Sequence, residues 1–227
     1  MKFPIFASAL LIFCIGLAII MSLSKKKEQK IKQAYENRER EADETRAKPL
    51  DDLQYIVIPD EIMNIFKQES GDFLEIVEGM PKSMADGIQS MMHLSTAKIV
   101  NLNNVSNTDL KLTYGAANLN KLSEYDQNYV LLCRTLLEVG EYFVSLDNKE
   151  TAKLLYEYAV CSGSDSMATY KNLCDIYKEE QDATKINFLI SNASLLTGIT
   201  KGPILKYLNE ACLPDKGLEA SILDILE

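Results

Sequence analysis

Hydrophobic and polar positions divide this chain into successive stretches. Residues 3–24, FPIFASALLIFCIGLAIIMSLS, carry no charge over 22 positions. As a helix rising about 1.5 Å per residue this run is roughly 33 Å long, enough to cross a hydrocarbon core of about 30 Å. A cleaved leader would carry an apolar core of about 7–15 residues followed by a small-x-small site. Here the run is longer and ends Met21-Ser22-Leu23-Ser24 before Lys25-Lys26-Lys27. Cys14 follows Phe13, where a lipid-accepting cysteine needs a small residue. The pattern predicts an uncleaved transmembrane helix within residues 1–24, with the lipid bilayer as a partner. Lys25, Lys26, Lys27, Lys30 and Lys32 outweigh the lone Lys2 before the span. By the positive-inside rule, the protein is then a single-pass cell-membrane protein with a cytoplasmic C-terminal body.

Residues 25–48 hold nine basic and six acidic side chains and neither Gly nor Pro. Good helix formers dominate, and Glu28–Lys32 and Glu36–Arg40 stand at favourable i,i+4 spacing. Ile31, Ala34 and Tyr35 make no sustained apolar stripe, so a coiled-coil seam is not expected. The stretch predicts a charged helical stalk stopped by Pro49. Its basic start also offers contact with anionic lipid. A mixed α/β segment follows over 49–125. Leu53–Ile58 and Lys98–Leu102 are rich in β-branched residues and predict one or two short strands. Between them Asp60–Gln68 and Pro81–Leu94 predict helices, with Gly71, Gly79 and Gly87 as breaks or weak points. His93 stands beside Met91 and Met92 with nothing near it in sequence to complete a metal set. Asn101–Asn107 reads as a turn, and Thr108–Tyr125 as short helical turns.

From about residue 133 the pattern recurs at a spacing of 34. Leu136 aligns with Tyr170, Val139 with Leu173, Gly140 with Cys174 and Phe143 with Tyr177. In the second half Ala152 aligns with Ile186, Tyr156 with Ile190 and Ala159 with Ala193. Small residues at Gly140 and Ala159 suit close helix crossings. Phe143, Tyr156 and Tyr177 suit the space between helices. Asp147, Asp165 and Asp182 are candidate N-caps. Gly202-Pro203 predicts a further helix over Ile204–Cys212, and Pro214 a last one through Ile222 and Leu223. The fold class expected is mainly α, with repeated α-α hairpins over residues 126–227; a non-repeating helical bundle is the alternative.

These positions resemble the tetratricopeptide repeat (TPR), whose pattern runs large-x2-Leu-small-x2-aromatic, then small-x3-aromatic-x2-Ala. The first copy fits; the second carries Ile186 in a small slot and Ile190 in an aromatic one. Ser164 and Gly198 stand where the family has Pro. The overall layout also resembles bacterial single-pass membrane proteins with a C-terminal TPR-like domain. The resemblance implies a concave groove lined by the first helix of each repeat, here Arg134, Leu137, Glu141, Val144, Lys171, Asp175 and Lys178. It further implies a protein or peptide partner. The lysine and asparagine clamp of chaperone-binding TPR domains is not matched.

Charge narrows the function classes. The chain holds 24 Lys and Arg against 33 Asp and Glu, a formal charge of −9. Residues 49–227 alone carry 14 basic and 27 acidic side chains, or −13. A body that acidic repels phosphate backbones, so nucleic acid is not an expected partner. A single histidine leaves no room for a His-based metal site or triad, and no G-x-S-x-G, P-loop, H-E-x-x-H or G-x-G-x-x-G occurs. No cofactor, metal or catalytic residue is expected. Cys133, Cys161, Cys174 and Cys212 form no CxxC pair and read as buried free thiols of a reducing compartment. The expected function is a membrane-tethered interaction module. The alternatives are an extracytoplasmic anchored TPR subunit assisting exported proteins, or an enzyme of another class.

Overall fold

The computed structural model describes residues 3–70 and 81–211, with side chains over 13–67 and 81–211. Its elements are α1 (Phe3–Glu44), α2 (Asp60–Ser70), α3 (Lys82–Leu94), α4 (Asn107–Tyr114), a 3-10 turn (Ala116–Asn118), α5 (Leu119–Ser145), α6 (Lys149–Cys161), α7 (Met167–Glu179), α8 (Ala183–Leu195) and α9 (Lys201–Ala211). Gly71, Gly79, Cys212, Pro214, Ile222 and Leu223 lie outside the described residues.

Among the described residues no helix is long and apolar enough to cross a membrane. Helix α1 runs on without a break from the uncharged stretch into the charged residues 25–44. The expected transmembrane helix, and the single-pass membrane location derived from it, fall on this finding; residues 3–12 of that span lie outside the described side chains.

The expected strands are absent as well: Leu53–Ile58 and Lys98–Leu102 contain no strand. The two segments do meet, since the Ile56 N–H donates to the Ile99 carbonyl at 2.9 Å. The ladder stops there. The Val100 N–H turns to the Tyr125 carbonyl at 3.2 Å, and the Leu102 N–H to the Asp126 carboxylate at 3.1 Å. Helix α5 supplies the partners that a second strand would have supplied, so β-branched composition yields extended chain without a sheet.

The chain forms two compact units, residues 1–50 with 106–119 and residues 51–105 with 120–227. In the first, the C-terminal turns of α1 meet α4 through charge. Lys111 bonds Glu39 at 2.5 Å and Asp43 at 2.7 Å, Thr108 donates to Glu39 at 2.6 Å, and Arg38 pairs with Asp109. The bond to Lys111 holds Glu39 below the usual carboxylate range, and the bonds to Asp43 and Glu39 raise Lys111. Helix α1 ends at Glu44, ahead of Pro49, and Glu36 pairs with Lys32 at 3.8 Å rather than with Arg40.

The second unit is built on α5–α9. Helix boundaries recur at 34 residues. Helices α6 and α8 start at Lys149 and Ala183, and α7 and α9 at Met167 and Lys201. The turns recur too. Asp147 and Gln181 both take positive φ, 61° and 56°. The Asn148 N–H reaches back to the Phe143 carbonyl at 2.9 Å, and the Asp182 N–H to that of Tyr177 at 3.1 Å. This is the Schellman closure that satisfies carbonyls at a helix end. The N-cap duties then fall to Asn148, Ser166 and Asp182. Of the expected caps Asp182 serves; Asp147 is instead the left-handed residue of the turn, and Asp165 yields to Ser166.

Inside, Leu136, Val139, Phe143, Tyr156, Tyr170, Leu173 and Tyr177 are buried in one cluster with Ile62, Phe66, Met84 and Ile88 of α2 and α3. Gly87 does not break α3: a Cβ there would stand 2.5 Å from Val139, so the glycine admits α5. Cys133 and Cys161 are free thiols, but Cys174 is disulfide-bonded, against the expectation of a free buried thiol.

Helix α5 meets α6 at Gly140. A Cβ at that point would stand 2.3 Å from Tyr156 Cε1, and Tyr156 is fully buried. Gly140→Ala is therefore expected to cost about 1–3 kcal/mol and Gly140→Leu more. Arg134→Ala, on an exposed side chain, should stay within about 0.5 kcal/mol. Thermal unfolding of the three variants checks this, and equal midpoints would contradict the packing.

Candidate functional site

Glu141 on α5 and Asp175 on α7 occupy equivalent positions, 34 residues apart. Between them opens a cavity of about 220 Å³. Of the seven expected groove residues it gathers Glu141, Val144 and Asp175. The others stand apart. Arg134 is exposed and lies 3.8 Å from Glu138 on its own helix. Leu137 is half-buried against the core. Lys171 places its ammonium 5.2 Å over the Tyr207 ring of α9. Lys178 is exposed in the last turn of α7.

The cavity also holds Lys149, Tyr156, Asn172, Ile176 and Glu179, which sequence reasoning did not place there. Lys149 and Glu179 form an ion pair between α6 and α7, and beside it Lys153 bonds Glu180 at 2.5 Å. These pairs neutralise the acidic end of α7, and the bond to Glu179 raises the Lys149 pKa. Asn172 donates to the Tyr156 hydroxyl at 3.2 Å and to Glu141 at 3.5 Å. That amide holds the floor of the cavity together. No motif signals it, because Asn172 aligns with Glu138, an unlike residue.

Among the described residues Glu141 and Asp175 have no ion-pair partner. With Glu179 taken by Lys149, the cavity keeps two uncompensated carboxylates. Its wall also includes apolar Val144 and Ile176. The arrangement can seat a cationic side chain whose alkyl stem lies on an apolar surface.

Comparison with known proteins gives no relative. The chain matches no family model, no curated protein and no solved structure.

Burial pushes the Tyr156 phenol up to about 12, although the Asn172 bond pulls it back somewhat. Tyr129, Tyr170 and Tyr177 are raised further, each first by burial. An unfolded tyrosine ionises near pH 10. A group whose folded pKa lies above that value adds stability that is fully present below pH ~10 and is lost as pH rises toward the folded value. Alkaline titration should therefore show exposed tyrosines ionising first and the buried four only together with unfolding. Phenolate absorbance followed alongside circular dichroism tests this; smooth ionisation of every tyrosine near pH 10 with the helices intact would refute it.

Proposed function

We propose that the second unit is a TPR-like protein-interaction module that grips a partner segment across α5 and α7. The observation that carries this reading is the 34-residue recurrence of helix starts, Schellman turns, caps and buried positions. Stacked hairpins of this kind bury a continuous core and leave a row of equivalent exposed positions. In this chain that row holds Glu141 and Asp175. Two carboxylates without ion-pair partners, on a body of strongly negative charge, favour a partner segment bearing Lys or Arg. Rim charges chiefly set association rate and salt dependence, whereas apolar anchors such as Val144 and Ile176 set residence.

The disulfide at Cys174 favours a second reading of the compartment, since disulfides persist where the surroundings are oxidising. In that reading the same module serves exported proteins. Thiol counting on the denatured, unreduced chain distinguishes the two: a full complement of five reactive cysteines would reject it.

The interaction reading is tested by pull-down with the purified full chain and a Glu141→Lys/Asp175→Lys variant. The double variant should lose a partner that the parent retains, at unchanged helicity. The loss should shrink as salt rises, because exposed charges are screened over about 8–10 Å near physiological ionic strength. Arg134→Ala and Lys178→Ala should leave binding intact. A partner indifferent to all four substitutions would move the binding site away from this cavity.

A further inference from the structure

A larger cleft of about 480 Å³ lies elsewhere in the second unit. Its walls come from the extended segment at Gln54–Ile56, the turn at Asn101–Asn104, the C-terminal end of α6 and the C-terminal end of α8. Five carboxamides line it, those of Gln54, Asn101, Asn103, Asn104 and Asn192. Asp165 is its single charged residue; no Lys, Arg or His stands in the wall. Asn104 donates to Thr197 at 3.1 Å, which ties the two facing loops together. Tyr55, whose ring packs against Tyr125 and under the Lys98 ammonium, stands at one side, and Ile56, Val160 and Leu196 are the aliphatic residues of the wall.

Behind the cleft lie two buried tyrosines: Tyr129, 2% exposed, whose hydroxyl meets the Cys133 thiol, and Tyr170, 0% exposed, whose hydroxyl has no hydrogen-bond partner among the described residues. The Tyr129 hydroxyl lies 3.8 Å from the point a Cβ on Gly163 would occupy, and Gly163 lines the cleft. Asp165 is close enough to both phenols for its charge to add to the effect of burial in keeping them protonated.

The geometry points to this cleft as a binding site for a small, neutral, hydroxyl-rich molecule, a mono- or disaccharide or a polyol. The Gln54 and Asn103 carboxamides each offer both a donor and an acceptor, as each hydroxyl of such a ligand does, while Asn101, Asn104 and Asn192 are each held by one bond within the protein. An anionic ligand would meet Asp165 and no cation. A cation would find one carboxylate, already accepting from Thr200 at 3.3 Å. The aliphatic wall suits the C–H faces of a sugar. The volume lies within the roughly 300–1,000 Å³ of small-molecule sites.

The test uses the full chain with glucose, N-acetylglucosamine, trehalose and myo-inositol as probes, read by saturation-transfer NMR and by calorimetry. At least one probe should bind and raise the unfolding temperature. The side chains of Gln54 and Asn103 make no hydrogen bond among the described residues, so Gln54→Leu/Asn103→Leu should fold normally. It should weaken that binding about tenfold, the loss expected for one or two hydrogen bonds. Asp165→Asn should retain the preference for neutral probes. Failure of all four probes, undiminished binding by the double variant, or binding of an uncharged alanine peptide in their place would overturn the proposal.

Discussion

The second unit depends on how closely α5 can approach α6. Gly140 removes the side chain at the crossing, and the Tyr156 ring fills the space that results. Once that ring is seated, its hydroxyl must be met, and Asn172 of α7 meets it. The same amide reaches Glu141 on α5. A steric constraint between two helices thus becomes a polar link to a third. Ala152, Ala159 and Ala193, all fully buried, extend the rule to other crossings. Interiors packed to crystal-like density leave little freedom at such points.

The surface follows from that packing. Lysines on α6 reach the acids that end α7, Lys149 to Glu179 and Lys153 to Glu180. Lys185 of α8 reaches back to Glu157 of α6 at 2.9 Å, and the Tyr177 hydroxyl donates to the same carboxylate at 2.6 Å. Exposed pairs of this kind add little stability singly. Their consequence is electrostatic: they use up the cations nearest the α7 terminus and leave Glu141 and Asp175 uncompensated. The acidic character of the cavity is therefore a product of which lysines are already engaged.

Much of the α-helical plan was legible. The 34-residue spacing marked the hairpins of α5–α8, and the aligned positions from Leu136 to Ala193 are buried, with Ile190 only partly so. The caps were legible only in part, because Asp147 and Asn148 are both good capping residues and local sequence does not say which lies outside the helix. The strand reading failed for a different reason. Leu53–Ile58 has strand composition, but whether its N–H groups meet another strand depends on what arrives beside it, and α5 arrived. The membrane reading took a charge-free run as sufficient, whereas among the described residues no helix is long and apolar enough to cross a membrane. The groove was read as seven residues; packing keeps three together, because Lys171 lies over Tyr207 and Leu137 turns toward the core.

What the sequence determined by itself is periodic and local. Spacing specified which residues face inward, and small residues marked the crossings. Only the tertiary structure decided which charges are cancelled, which amides share a cleft and which phenols are buried. The physical reason is range. Helix periodicity and turn chemistry act within a few residues and are written in consecutive letters. Ion pairing, cavity shape and buried hydrogen bonding join residues tens of positions apart, such as Asn104 with Thr197 or Tyr129 with Gly163. Those meetings are settled by the packing of whole helices.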